Sequence, residues 1–227
     1  MATFKSLAID QIQSQFPMHR NSSAAFGAHA YMKGIAPFIG INAPDRRKIL
    51  REIFRTLPEP SSSELGVTAR ALWKLPEREY QYAASDLIDY FIECADKNFL
   101  KDHVEYLIAY KSWWDTVDSL GTTAVSPLTL KFQSVALMRK WNKSSNMWLV
   151  RASIQHQRGR KTETDIPLLI QFMSRHSSES EFFIAKAIGW ALRDLSRINN
   201  LEVKKFLKTH PELDKVAVRE ALKLGYK

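Results

Sequence analysis

Apolar residues recur at three- and four-residue spacing through nearly all of this 227-residue chain. A repeat of that period makes one buried stripe and one wet face on a helix, and it cannot sit still as a strand. In Phe99-Leu100-Lys101-Asp102-His103-Val104-Glu105-Tyr106-Leu107-Ile108 the stripe is plain, and it returns at Ile49, Ile53 and Phe54 and at Leu87, Tyr90 and Phe91. Strand signals are poor: no Asn-Gly or Asp-Gly hairpin turn occurs, and the β-branched residues are scattered through helix-period segments. The chain is all-α.

Start signals cut it finely. Pro44-Asp45, the run from Pro58 to Ser63, Pro76-Glu77, Ser126-Pro127, Ser144-Ser145, the run from Thr162 to Pro167, Ser177-Ser178 and Pro211-Glu212 each precede a periodic run. Ser, Thr and Asp cap helices there, and Pro fits the first turn. The pattern predicts roughly a dozen helices of about 10–20 residues. Helix pairs recurring about every 35–45 residues suggest one domain over 1–227, an α-solenoid of HEAT-like repeats. A compact helical bundle is the competing architecture.

Composition narrows the function classes. With 45% hydrophobic and 11% aromatic residues the chain can fill a core, which excludes extensive disorder. The lone Cys94 allows no internal disulfide and reads as a small buried residue; a reducing, cytoplasmic compartment follows. The six His lack ligand spacing, so neither a metal nor another cofactor is expected; His103, His156 and His210 read as surface as readily as functional. The first residues lack the apolar core of a signal peptide, and no later run reaches the ~20 apolar residues of a membrane span. Thirty-three Lys+Arg against 24 Asp+Glu give a net charge of +9 and put nucleic acid first among partners, ahead of an anionic membrane surface or an acidic protein. The basic candidates are Arg46, Arg47, Lys48 and Arg51; Arg139, Lys140 and Lys143; Arg158, Arg160 and Lys161; and Lys204, Lys205 and Lys208. A basic run is also what an ordinary solvated helix face looks like.

Three segments stand out chemically. In Lys111-Ser112-Trp113-Trp114-Asp115-Thr116-Val117-Asp118 the two Trp lie about 100° apart on a helix, so they cannot both face one core. Trp114 and Asp118, four apart, share a face, where an indole and a carboxylate together suit a cation. The plain alternative is that Trp113 and Trp114 bridge two helices while Asp118 pairs with an Arg. Near the C-terminus, Gly189 precedes Trp190 inside a strongly helical run, which marks either close approach of a ligand or tight helix packing. Between these, Arg151 and Gln155 make a polar pair at i,i+4 on a helix otherwise built for a core; Arg151 would suit a phosphate, or orient Asp118, or be merely solvated.

KSWWDTVDSL, NMWLVRAS and EFFIAKAIGWALR, with AYMKGIAPFIGINAPDRR, WKLPEREYQYAA and REALK, follow one another in an order that strongly resembles the AlkD-type alkylpurine DNA glycosylases from about residue 20 to 223. The resemblance implies HEAT-like repeats whose concave basic face grips duplex DNA as a monomer and excises cationic N3- and N7-alkylated purines without flipping the base into a pocket. It implies a catalytic cleft of Trp114, Asp118 and Trp190. Arg151 would support Asp118 and the DNA backbone, and Tyr31 would reach in from the N-terminal segment. Trp113, Arg46, Arg47, Arg158, Arg160 and Lys161 complete the expected DNA-contacting set. The polar stretch after Arg151, RASIQHQRGRKTETD, departs from the family pattern. The chemistry suits the residues: an alkylated purine leaves readily, so the enzyme stabilises an oxocarbenium-like sugar, which a carboxylate can do. Two other functions fit the same fold, a non-catalytic binder of distorted or branched DNA and a protein-interaction scaffold.

Overall fold

The computed structural model describes residues 3–223, and every regular element among them is helical. Their contacts form two compact units, Met1–Ala124 and Val125–Lys227. The first carries α1 (Phe4–Gln15), α2 (Ser22–Tyr31), α3 (Ala43–Phe54), α4 (Ser62–Lys74), α5 (Arg78–Tyr90), α6 (Glu105–Ala109) and α7 (Trp114–Leu120). The second carries α8 (Ser126–Lys131), α9 (Val135–Asn142), α10 (Met147–Gln155), α11 (Ile166–Arg175), α12 (Phe182–Ser196), α13 (Asn200–Thr209) and α14 (Lys215–Leu222).

Local chemistry sets the helix starts close to where the sequence signals them. Asn42 accepts from the Asp45 amide at 2.9 Å and donates to its carboxylate at 2.7 Å. At α4 the Ser61 hydroxyl accepts from the Glu64 amide while Glu64 takes the Ser61 amide in return, a reciprocal cap that satisfies two otherwise orphaned donors. Asp165, Glu181, Asn199 and Asp214 cap α11 to α14. Several helices are shorter than the predicted 10–20 residues, because π-helical turns at Leu100–Val104 and Gly121–Val125 interrupt the α pattern before α6 and after α7. Such a turn keeps the apolar stripe running while changing the hydrogen-bond register, so periodicity alone does not reveal it.

In the first unit α4 and α5 pack together, and Leu65, Ala69, Leu72 and Trp73 of the one and Ala83, Ala84, Leu87 and Ile88 of the other are all fully buried. α2 is different: none of its residues is buried, and Phe26 and Tyr31 are both more than 70% exposed (76% and 72%). In the second unit α12 is the centre, in contact with α10, α11, α13 and α14. Gly189 marks tight helix packing there. A Cβ on it would come within 2.6 Å of the Ala217 carbonyl oxygen and of the Glu220 Cβ, so α12 and α14 approach as closely as they do only because that atom is missing.

Two expectations from the sequence are corrected. Cys94 is partly exposed, its thiol reaching Glu59. His156 is buried, 2% exposed, against Phe172, with Nδ1–H donating to the Ser153 carbonyl at 2.6 Å; burial pushes its pKa down to about 4, so the ring is neutral.

Candidate functional site

Trp114 and Asp118 lie one turn apart on α7, both half-buried, as their spacing predicts. What holds α7 is Arg78, at the first position of α5 and 1% exposed. Its Nη2 donates to Asp115 Oδ1 at 2.6 Å and to the Thr116 hydroxyl at 2.9 Å. Nε donates to Asp115 Oδ2 at 3.1 Å, and Nη1 to the Lys111 carbonyl at 2.8 Å. The fork therefore grips both the start of the helix and the chain leading into it. Tyr82, one turn further along α5, donates its hydroxyl to Asp115 Oδ2 at 2.6 Å; burial, then the adjacent carboxylate, push its pKa far above the usual phenol value. Further on, Ser85 meets the hydroxyls of Ser119 and Thr123 at 2.7 and 3.1 Å, tying the π turn after α7 to the same α5.

The residue after Arg78 on α5, Glu79, does the same for the other side of this site. Buried (1% exposed), its carboxylate accepts the backbone amides of Ile39, Gly40 and Ile41 at 3.0, 2.7 and 3.3 Å, fixing the segment between α2 and α3. Gly40 is required in that segment: its φ is +95°, and a Cβ would lie 2.1 Å from the Asn21 carbonyl oxygen at the start of α2. Tyr31, the last residue of α2, stands edge-on to Trp114, ring centres 6.4 Å apart. Trp113, half-buried and extended, sits at the N-cap of α7. The first unit thus presents an exposed phenol, an indole and a carboxylate, all set from two adjacent residues of α5.

The second unit builds a different surface around Trp190 on α12. The indole Nε1–H donates to Glu220 Oε2 of α14 at 3.1 Å. Glu220 also takes Lys223 at 2.6 Å and Arg193 at 3.5 Å; burial raises its pKa, but the bonds from Lys223 and Trp190 outweigh it, and the carboxyl stays below its usual range. Four cations of the chain surround the indole, Arg158 at 5.0 Å from the ring, Arg151 at 5.1 Å, Lys186 at 5.5 Å and Arg193 at 6.0 Å. The family resemblance places Trp190 in the cleft that receives a cationic nucleotide. Instead the ring already serves the protein's own cations, and the cluster favours an anion. Arg151 itself is buried and donates to the Phe183 carbonyl.

The expected basic set divides. Arg46 is corrected to a structural residue: it is buried, bonded through Nε to Asp86 at 3.1 Å and stacked over Tyr82. Arg160 is half-buried and anchored to the Ser126 carbonyl and the Thr129 hydroxyl. Arg47, Arg158 and Lys161 are exposed. Arg78, Glu79, Asp115, Tyr82 and Glu220 were not among the predicted site residues. All but Asp115 lie in WKLPEREYQYAA and REALK, and nothing in a linear sequence pairs Arg78 with a residue 37 positions on.

Among the described residues, no group of three His, Cys, Asp or Glu could hold a metal ion, and no helix is long and apolar enough to cross a membrane. The sequence profile of the family described as DNA alkylation repair enzyme matches residues 12–224. A solved structure described as a predicted DNA alkylation repair enzyme from Enterococcus faecalis is 30% identical, covers 92% of this chain and 97% of its own, and superposes with a TM-score of 0.83. AlkD2 from Streptococcus mutans, at 15% identity, covers 98% of this chain and 99% of its own with a TM-score of 0.63, a likeness of fold. No curated protein matches the sequence. All-helical, of the AlkD-like helical-repeat fold and matched by the family profile through both units, the chain belongs to the DNA alkylation repair enzyme family.

Proposed function

We propose that this DNA repair protein is an alkylpurine DNA N-glycosylase, hydrolysing the bond between deoxyribose C1′ and a cationic N3- or N7-alkylated purine in duplex DNA. One observation carries the reading: Asp118 and Trp114 share a partly exposed face of a helix that Arg78 and Tyr82 hold through Asp115. The purine leaves as a neutral base because it already carries the positive charge. Charge then develops on the sugar, and a carboxylate held at fixed distance stabilises it without reorganising. Asp118 supplies that charge and orients the water whose oxygen bonds to C1′ as the C1′–N bond breaks, its proton passing to solvent. Trp114 offers its ring to the cationic nucleotide, and Tyr31 reaches the DNA from α2. Trp190 and its cations, with Arg47, Arg158 and Lys161, take the phosphates. The chain acts alone, as a monomer, in the cytoplasm.

The test is release of 7-methylguanine from methylated duplex DNA by the purified chain. Asp118→Asn is expected to cut release at least 100-fold while holding duplex affinity within a fewfold, because only a transition-state interaction is removed. Equal loss of both rejects the role. A second reading, a non-catalytic binder of distorted DNA, is favoured by the cation cluster around Trp190 and predicts tight binding with no base release from either protein.

A further inference from the structure

The second unit also brings together a hydroxyl, an imidazole and a carboxylate that none of the roles above uses. Ser174 lies in the last turn of α11, His210 closes α13 at its C-cap, and Glu212 follows across Pro211. The Ser174 hydroxyl is 2.9 Å from His210 Nε2, and His210 Nδ1 is 3.0 Å from Glu212 Oε1. The imidazole packs on Phe206, ring centres 4.3 Å apart, while the His210 amide donates to the Phe206 carbonyl at 3.0 Å. Ser174 is partly exposed and the His210 side chain is 21% exposed, so a small molecule in solution can reach the pair.

Glu212 fixes which way the protons point. The Ser177 hydroxyl donates to its Oε1 at 2.5 Å; that bond, then the backbone amide of Glu212 itself and His210, hold the carboxyl below its usual range. A carboxylate only accepts, so Nδ1 carries the ring proton, and in the neutral imidazole Nε2 is left as an acceptor. The Ser174 O–H is the donor within its reach. A hydroxyl facing a base that a third group orients is the arrangement that activates a serine, and it is recognised by geometry on any fold. A plain tie between α11 and the chain after α13 needs none of this, because Ser177 to Glu212 already makes one.

The backbone limits what that hydroxyl can attack. The amides of His176 and Ser177 donate to the Met173 and Ser174 carbonyls at 3.1 and 3.4 Å, and the carbonyl end of a helix disfavours negative charge. A developing oxyanion finds little support there, so an amide is out of reach and the acyl donor must bring a good leaving group. We propose that Ser174, His210 and Glu212 form a second reactive centre, in which Ser174 takes the acyl group of a small activated ester. The hydroxyl oxygen bonds to the acyl carbon as its proton passes to His210 Nε2. The bond from that carbon to the leaving oxygen then breaks, and the leaving oxygen takes the proton from Nε2. Glu212 positions the ring and faces the imidazolium while it lasts. The proposal does not rest on Asp118 or on base release.

Incubating the full chain with p-nitrophenyl acetate, followed by peptide mass mapping, tests it. One acetyl group is expected on Ser174, formed with a burst of one equivalent of p-nitrophenol ahead of slower turnover. His210→Gln should slow acetylation of Ser174 about 100-fold or more, the usual loss when a general base is removed, and Glu212→Leu about tenfold. The exposed Ser178→Ala should leave it unchanged. Nitrogen NMR of the His210 ring should place the proton on Nδ1 in the parent and on Nε2 in Glu212→Leu. No acetyl group on Ser174, acetylation undiminished in His210→Gln, or the same ring tautomer in Glu212→Leu as in the parent overturns the proposal. If circular dichroism shows that His210→Gln has lost its helices, the rate in Glu212→Leu replaces it, and unchanged acetylation of Ser174 then overturns the proposal.

Discussion

Replacing Arg78 by Met removes four hydrogen bonds at once and leaves the Asp115 carboxylate, 9% exposed, with the Tyr82 hydroxyl but no opposing charge. Removing one partner of a buried ion pair costs about 3–5 kcal/mol, mostly the penalty of the charge left behind. Against a total stability of about 5–15 kcal/mol that is a large fraction. At about 2–4 °C per kcal/mol for a chain of this size, the midpoint of thermal unfolding should fall by roughly 6–20 °C. Urea titration followed by circular dichroism measures the loss, and the second substitution sharpens it. Arg78→Met with Asp115→Leu removes both charges and should recover more than half of the loss, because an apolar pair of similar volume fills the place without desolvation cost. The exposed Arg47→Met serves as control, within about 0.5 kcal/mol of the parent. A cost under about 1 kcal/mol for Arg78→Met, or a double variant no better than the single one, refutes the view that this pair fixes α7.

Gly189→Ala should destabilise by about 1–3 kcal/mol, since its Cβ meets backbone of α14 that cannot swing aside; an unchanged urea midpoint would show that α12 and α14 separate freely. For His156, the folded ring stays neutral down to about pH 4 while the unfolded ring takes a proton below about 6.5, so stability is full above 6.5 and falls as pH drops between those values, by about 3 kcal/mol. His156→Phe should remove that part of the pH dependence; an identical pH profile sinks the assignment. The salt dependence of duplex affinity should flatten by about 0.9 in log–log slope for each phosphate that Arg158→Ala or Lys161→Ala leaves without its cation, and stay unchanged in Arg46→Ala, whose guanidinium is occupied by Asp86.

The helical class is legible because the apolar stripe is a property of neighbours three and four apart, and the helix starts because caps act over three residues. The same short range makes Trp114 and Asp118 readable as one face, and places Lys186 and Arg193 beside Trp190 on α12. The framework of the site is illegible for the opposite reason. Arg78 finds Asp115 across 37 positions, and Glu79 finds Ile39 across 40, through folding that no local pattern encodes. Arg46 looks like any surface base until Asp86 is brought to it. Gln155 reads as half of a polar pair with Arg151; the structure buries both and leaves the Nε2 of Gln155 without a hydrogen-bond partner among the described residues.

Glu220, which holds the indole of Trp190, also imposes an order in time. The chain leaves the ribosome from its N-terminus, and by residue 116 every partner that Arg78 needs to pin α7 has been made. When Trp190 emerges, its acceptor is still 30 residues away. Until α14 has been synthesised and has closed against Gly189, the nascent protein carries an assembled carboxylate helix and an unanchored tryptophan. A half-made chain therefore holds Asp118 in place while the indole of Trp190 still lacks its anchor, and the two units are completed in turn rather than together.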